Sequence, residues 1–222
     1  MADTKVILTE DGSKTLFSPK YQEHYHSVFG AIQESMHVFI RAGLLPKTKT
    51  NKHIRIFEMG MGTGLNVLLT YLHKQDCSIS YLTLEAEPVA IEQACSLKYT
   101  TQLSTPNLEP LFQQIHTTAW NEEAILDETF TLHKRHTQIQ AFESSDQFDL
   151  FYFDAFAPDV QPELWNETIM EKLAHMAAPN AIFVTYSVKG TVRRALQKFG
   201  FKTERIPGPP GKRQMLRAIM CE

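Results

Sequence analysis

The chain has 222 residues, 43% of them hydrophobic and 21% charged, and its 22 Lys and Arg against 25 Asp and Glu give a net charge of −3. This composition excludes a disordered chain, and 10 Gly with 3 Cys exclude collagen-like and disulfide-scaffold classes. The slightly acidic balance taken alone speaks against a nucleic-acid partner, since polyanion binders carry a basic excess.

The first residues, Met1-Ala-Asp-Thr-Lys-Val6, lack the apolar core of a signal peptide. Short apolar runs flanking Glu10-Asp11-Gly12-Ser13 predict a β-hairpin over Val6–Ser18, with Asp-Gly at its turn. A helix is expected over Val28–Ala42, stopped by Gly43 and Pro46. Strands and helices then alternate: strand His53–Met59, helix Leu65–Lys74, strand Ser78–Glu85, helix Pro88–Leu97. Helical turns at Leu108–His116 precede a strand at Thr129–Arg135, and the nearly all-apolar Phe148–Asp154 suits a strand buried on both faces. A helix at Pro162–Ala177, a strand at Ala181–Ser187 and a helix at Thr191–Phe199 follow. Two strands, Phe201–Ile206 and Met215–Cys221, close the chain around a Pro/Gly-rich loop.

This alternation predicts an α/β fold with a doubly wound, mostly parallel, seven-stranded sheet. The last two strands have no helix between them and are expected as an antiparallel hairpin. Residues 1–50 form an N-terminal hairpin-and-helix extension packed on the site, and residues 51–222 form the sheet domain. Leu173–Val188 lacks Asp, Glu, Lys and Arg but is broken by His175, Pro179 and Asn180, so no spanning helix and no membrane partner are expected. Cys77, Cys95 and Cys221 lack metal or disulfide spacing and read as buried free thiols of a cytoplasmic protein. His24 and His26 have no evident third ligand, so no metal is expected. Trp120 and Trp165 read as packing residues.

The sharpest local feature is Glu58-Met-Gly60-Met-Gly62-Thr-Gly64-Leu-Asn66, which leaves a strand and opens a helix. Such a turn lets backbone amides approach a ligand closely. The spacing is G-x-G-x-G, with Leu65 where a dinucleotide site carries its third glycine, and the Gly-Lys-Ser/Thr of a phosphate loop is absent. S-adenosylmethionine fits better, the alternative being a tight strand-to-helix turn with no ligand: Gly60, Gly62, Thr63, Gly64 and Asn66 are its expected cradle, and the Glu58 carboxylate is expected to meet its methionine ammonium. Glu85 closes the next strand, where an acid accepts hydrogen bonds from both ribose hydroxyls or else caps the following helix. Glu87 reads as a solvated first-turn charge.

The fourth parallel strand ends in Asp154-Ala-Phe-Ala-Pro158, at the strand ends where open α/β sheets bind ligands. A carboxylate there orients a nucleophilic amine toward a sulfonium methyl, with Phe156 packed on the substrate; the alternative is an Asp that caps the turn.

Beyond these features the sequence resembles the methyltransferase domain of the bifunctional tRNA-modification enzyme MnmC and its stand-alone MnmD-like relatives. The shared strings are Tyr25-His-Ser, Gly30-Ala, Glu34-Ser-Met-His-Val-Phe39, Gly60-Met-Gly-Thr-Gly-Leu-Asn66, Asp154-Ala-Phe-Ala-Pro158, Gln161-Pro-Glu-Leu-Trp165, Thr185-Tyr-Ser-Val-Lys-Gly190, Val192-Arg-Arg194 and Gly208-Pro-Pro-Gly-Lys-Arg-Gln-Met215. They run from about residue 20 to the end. The resemblance implies a class I, Rossmann-like methyltransferase sheet. It also implies transfer of a methyl from S-adenosylmethionine to the 5-aminomethyl group of a tRNA wobble uridine, converting 5-aminomethyl-2-thiouridine to 5-methylaminomethyl-2-thiouridine. Asp154 is then catalytic, and Tyr25, His26, Glu34, Phe156 and Pro158 line the substrate pocket. An FAD oxidoreductase domain would need several hundred further residues, so a separate enzyme is expected to supply the amine. Family members carry Gly-Asp after the third strand, where the Asp contacts the adenine. Here His133-Lys-Arg-His-Thr-Gln138 stands instead, and Thr137 or Gln138 is the expected replacement. Two other readings also fit: a methyltransferase acting on a small-molecule amine, and an inactive tRNA-binding module.

Net charge conceals an asymmetry. Residues 189–222 hold nine Lys and Arg but only Glu204 and Glu222, a local balance of +7, which leaves −10 on the rest. Lys189, Arg193, Arg194, Lys212 and Arg213 are the expected tRNA phosphate contacts.

Overall fold

A computed structural model describes residues 4–103 and 105–221. Glu222, counted in the balance above, and residues 1–3, on which the signal-peptide reading partly rests, lie outside the described residues.

The N-terminal hairpin forms as expected. Strand β1 (Lys5–Leu8) pairs antiparallel with β2 (Lys14–Ser18), and a two-residue β3 (Glu23–His24) extends the sheet to three strands. Asp11 locks the turn by accepting hydrogen bonds from Thr9 Oγ1 at 2.8 Å and from the Ser13 amide at 2.9 Å.

The helix after the hairpin is longer than the sequence suggests. Ala31–Ser35 (α1) runs on through Met36–Leu44, wound at π spacing, into Leu45–Thr48 (α2). Gly43 does not stop it. A Cβ there would sit 3.1 Å from Val184 and 3.2 Å from Leu150, so the glycine is where the helix lies down on the sheet. Pro46 is the second residue of the α2 segment and does not stop the helix either.

The main sheet has eight strands, one more than expected, in the order β10-β11-β9-β8-β4-β5-β7-β6. Strands β4 (His53–Met59), β5 (Ser78–Glu85), β7 (Phe130–His136), β8 (Phe148–Phe153) and β9 (Ala177–Thr185) are parallel. The closing hairpin β10 (Phe201–Pro207) and β11 (Gln214–Met220) is antiparallel, as predicted. The added strand, β6 (Glu123–Asp127), pairs antiparallel with β7 at the sheet edge. Its Glu-Ala-Ile-Leu-Asp sequence carries no buried stripe, and Ile125 is 70% exposed, so nothing but the neighbouring strand marks it.

Side chains alternate between two apolar layers. Ile54, Ile56, Leu150, Tyr152, Ile182 and Val184 pack toward the helix at residues 31–48, α3 (Leu65–His73) and α6 (Leu108–Thr117). Phe57, Met59, Phe151, Phe153 and Phe183 pack toward α7 (Glu167–His175) and α8 (Gly190–Lys198). The short helices α4 (Ile91–Ser96) and α5 (Tyr99–Gln102) lie before α6 in the chain, and Glu87 therefore precedes a helix rather than sitting in its first turn. The helix expected over Pro162–Ala177 is split into a 3₁₀ turn at Pro162–Leu164 and α7, whose Asn166 cap accepts a hydrogen bond from the Ile169 amide at 3.0 Å. Strand β9 begins at Ala177, earlier than expected, because Pro179 and the left-handed Asn180 are absorbed as a bulge against β8. Of the three free thiols only Cys77 is buried; Cys95 is half-buried and Cys221 exposed. No described helix is long and apolar enough to cross a membrane.

Candidate active site

From β4 the chain builds β5 and β7 on one side, then returns to place β8 on the other. The crevice at such a switch point opens at the carboxyl ends of the strands. Here Met59 pairs with Phe153, and the Asp154 amide donates to the Met59 carbonyl at 3.0 Å. The residues just beyond, Gly60 and Asp154, are therefore neighbours. Gly60 has φ +89°, and a Cβ would lie 3.1 Å from the Asp154 carbonyl oxygen, so the backbone needs glycine on both counts.

A cavity of about 390 Å³ opens there. Of the residues singled out from the sequence, its lining includes Gly60, Gly62, Thr63, Glu85, Tyr25, His26, Glu34, Phe156, Asp154 and Lys212. Glu58, Gly64, Asn66 and Pro158 are not in the lining. Gly64 caps α3 in the left-handed conformation, and Glu58 is fully buried beneath the loop. Thr137 and Gln138 follow β7 beside the end of β5, with the Thr137 amide on the Glu85 carbonyl at 3.1 Å, and they too stand outside the lining.

Three acids converge here, each with its pKa raised by burial. Asp154 accepts a hydrogen bond from Asn66 Nδ2 at 2.9 Å, and burial, reinforced by Glu34 and Glu58, raises its pKa well above the ordinary carboxylate value. Burial likewise pushes Glu58 up to about 8, against smaller opposing effects of Thr83, Asn66 and Tyr81. Neither Glu58 oxygen has an aligned hydrogen-bond partner, nor has Asn66 Oδ1. Glu85 ties the loop to β5: its carboxylate accepts from the Gly62 amide at 2.9 Å and the Glu87 amide at 2.8 Å, while burial still raises its pKa.

The N-terminal extension supplies the roof. Rings of Tyr21 and Tyr25 meet Phe156 at 4.8 and 5.1 Å, and Trp165 Nε1 donates to the Phe156 carbonyl at 2.8 Å, holding that turn. His26 Nε2 lies 2.7 Å from Thr63 Oγ1, and burial lowers its pKa to about 4, so the ring is neutral at pH 7. Glu87 pairs with Lys20 and accepts from Tyr21 OH at 2.8 Å, joining roof to sheet.

Sequence reasoning missed the third wall. Tyr186, just past β9, donates its hydroxyl to the Ala155 carbonyl at 2.7 Å and shows its ring to the cavity. Lys212 comes in from the β10–β11 loop: its Nζ sits 2.8 Å from Glu34 Oε1 and 3.8 Å from the Tyr186 ring centroid. Glu34 Oε2 in turn accepts from the Ser27 amide at 2.8 Å. Lys212 is thus inside the pocket, apart from the other expected phosphate contacts. Lys189 pairs with Asp159 on the surface, Arg193 is half-buried, and Arg194 and Arg213 are exposed. Among the described residues, no group of three or more His, Cys, Asp or Glu is placed to hold a metal ion.

Comparison with known proteins agrees with this geometry. Residues 104–221 match the sequence model of a family described as S-adenosyl-L-methionine-dependent methyltransferase. The chain is 30% identical over 227 residues to a tRNA 5-methylaminomethyl-2-thiouridine biosynthesis bifunctional protein MnmC from Paraburkholderia xenovorans, covering 95% of this chain and 34% of that protein. It therefore spans about a third of the length of the curated relatives it matches. Among solved structures it resembles MNMC2 from Aquifex aeolicus, with a TM-score of 0.79 and 26% identity, covering 98% of this chain and 70% of that one. Spermidine synthase from Thermotoga maritima shares the fold at a TM-score of 0.54 and 12% identity, covering 97% of this chain and 72% of that one.

Proposed function

The chain belongs to the family of S-adenosyl-L-methionine-dependent methyltransferases, and from that premise we propose that it methylates the 5-aminomethyl group of a tRNA wobble uridine, giving a 5-methylaminomethyl-uridine in which 2-thiolation accompanies the modification. The observation that carries this reading is that the glycine loop, Glu85 and Asp154 open onto one cavity, with the carboxylate anchored by Asn66. The names of the relatives supply the tRNA substrate class.

The residues fit the cofactor. A molecule bearing a sulfonium and an ammonium suits a lining with Glu23, Glu34, Glu85, Glu87 and Asp154 against Lys212 as its one Lys or Arg. The unpartnered Glu58 oxygens add a buried acceptor beneath the loop. In this reading Gly60–Thr63 cradle the methionine end over Glu58 and Asn66, Glu85 holds the ribose, and Thr137 or Gln138 stands at the adenine end. When bound, S-adenosylmethionine supplies an electrophilic methyl group on a positively charged sulfur.

The substrate is an alkylamine, whose ordinary pKa is about that of Lys, roughly 10, so it arrives protonated. Asp154 accepts a hydrogen bond from the amine and aims its lone pair, and its raised proton affinity suits it to take the proton as well. Phe156, Tyr25 and Tyr186 exclude water from the reacting nitrogen.

The test is methylation of tRNA isolated from a strain lacking this modification, followed by mass analysis of its nucleosides. A gain of one methyl at the aminomethyl-uridine supports the reading; methylation of small amines with untouched tRNA replaces it with a small-molecule enzyme. No calorimetric binding at millimolar S-adenosylmethionine would sink the enzyme reading altogether. Asp154→Asn should cut turnover about 100-fold or more while leaving cofactor binding intact.

A further inference from the structure

An amine methyltransferase faces an electrostatic conflict. Carboxylates that attract a cationic substrate also hold its proton on, and only the neutral amine attacks. In this cavity the buried Glu34 and the half-buried Asp154 are two carboxyl groups close enough for Glu34 to raise the Asp154 pKa. Lys212 bears on both. Its ammonium is bonded to Glu34 at 2.8 Å, lies over the Tyr186 ring at 3.8 Å, and acts on Asp154 in the direction opposite to Glu34. The same opposition is felt at His26, which Glu34 pulls toward protonation and Lys212 pushes away from it. Burial raises the Tyr186 pKa, and Asp154, Glu34 and Glu23 add to it in that order. The Glu34 side chain is only 8% exposed, so its charge is compensated by Lys212 rather than by solvent.

We propose that Lys212 is a positioning residue for the methyl transfer: its ammonium, clamped by Glu34 and the Tyr186 ring, neutralises Glu34, leaving Asp154 alone to hold the substrate amine and so favouring the amine's unprotonated, nucleophilic form. This rests on the tRNA reading above and says what the Gly-Lys-Arg-Gln loop does within it. The lysine is an electrostatic partner of the site rather than a phosphate contact. It is also not a plug: a lysine that merely filled an alkylammonium subsite would slow binding without altering the chemistry.

Three variants of the full chain decide the matter, assayed on hypomodified tRNA across pH 6–10, with folding checked by thermal unfolding and cofactor binding checked by calorimetry. Lys212→Met leaves Glu34 uncompensated. Its kcat at pH 7 should fall about tenfold, KM should hold or drop, and the rising limb of the kcat profile should move up by about one pH unit. Lys212→Arg keeps a cation beside Glu34 and should restore the limb. The double variant Glu34→Gln/Lys212→Met removes both charges and should also return the limb to its wild-type position, which no loss of a phosphate contact explains. An unshifted limb in Lys212→Met overturns the inference. So does a raised KM with shallower salt dependence, which marks a phosphate contact, or a lowered KM with unchanged kcat, which marks a plug. A double variant as shifted as the single one overturns it too. Wild-type protein that leaves such tRNA unmethylated refutes the underlying reading instead; wild-type turnover with an unshifted Lys212→Met refutes only the role of Lys212.

Discussion

Glu58 shows how much a single buried group in this site costs. Its carboxyl is fully buried with neither oxygen aligned to a partner, and desolvation raises its pKa from 4.5 to about 8. Below pH 4.5 the group is protonated in both folded and unfolded chains and costs nothing through ionisation. Between about pH 4.5 and 8 the unfolded chain sheds this proton while the folded one keeps it, so the unfolded state binds fewer protons and stability falls as pH rises. Glu58→Gln removes that dependence: urea midpoints of variant and wild type should diverge in the variant's favour from pH 5 to 8. Parallel curves across that range would mean that Glu58 is already ionised in the folded protein. An acid at the end of β4 was legible in the sequence from its place before the glycines; its confinement beneath the loop was not. Lys212 was legible as a cation of the loop beside the site and as an expected phosphate contact, not as a wall of the pocket. Its partner Glu34 lies 178 residues away in the chain, and no local pattern reports a contact closed by the whole fold.

Among the elements, those with strong internal patterns were legible and those defined by a neighbour were not. Strands β4 and β5 fall where their apolar residues predict, because Ile54, Ile56 and Phe57 in one and Ile79, Tyr81 and Leu84 in the other are buried and carry the pattern themselves. Strand β6 was missed because its only reason to be a strand is the open edge of β7. The helix at residues 31–48 was cut short on paper because Gly43 reads as a stop, whereas in the fold it is a contact point. That reassignment has a measurable consequence. Alanine normally gains about 1 kcal/mol over glycine inside a helix. At position 43 its methyl would press on Val184, Leu150 and Tyr152, all fully buried and unable to yield, and overpacking costs about 1–3 kcal/mol. Gly43→Ala should therefore be destabilising on balance by about 1 kcal/mol, lowering Tm by roughly 2–4 °C. A raised Tm would mean that the helix can shift off the sheet, and with it Glu34, which leads into the same helix.

For the molecule as a whole, the relevant quantity is where the basic residues sit and what each already faces. Four of the nine Lys and Arg in the C-terminal segment have acidic partners: Lys189 with Asp159, Lys198 with Glu167, Arg217 with Glu204 and Lys212 with Glu34. The topology divides the segment between two ends of the sheet. Strand β11 runs antiparallel to β9, pairing Leu216 with Thr185, so the β10–β11 loop and the start of α8 lie at the cavity end of the sheet. Arg193, Arg194, Arg205 and Arg213 belong to that end; Lys202, opposite Ile219 and hence near Ile182, and Lys198 at the far end of α8 belong to the other. Exposed ion pairs are worth only about 0–1 kcal/mol, so Lys189 can exchange Asp159 for a phosphate at little cost. On the proposed tRNA reading, four or five cations at the cavity end set the salt response, and the logarithm of affinity should fall with the logarithm of salt at a slope of about −3 to −4. Arg193→Ala/Arg194→Ala should flatten that slope by about 1 to 2 without altering cofactor binding, whereas Lys198→Ala/Lys202→Ala should leave it unchanged. Filter binding or fluorescence anisotropy between 50 and 300 mM salt reads both, a range over which the Debye length falls from about 14 to about 6 Å. A flat wild-type slope would remove the electrostatic support for tRNA. Equal effects from the two pairs would mean that the basic segment acts as a diffuse field rather than as a face beside the cavity.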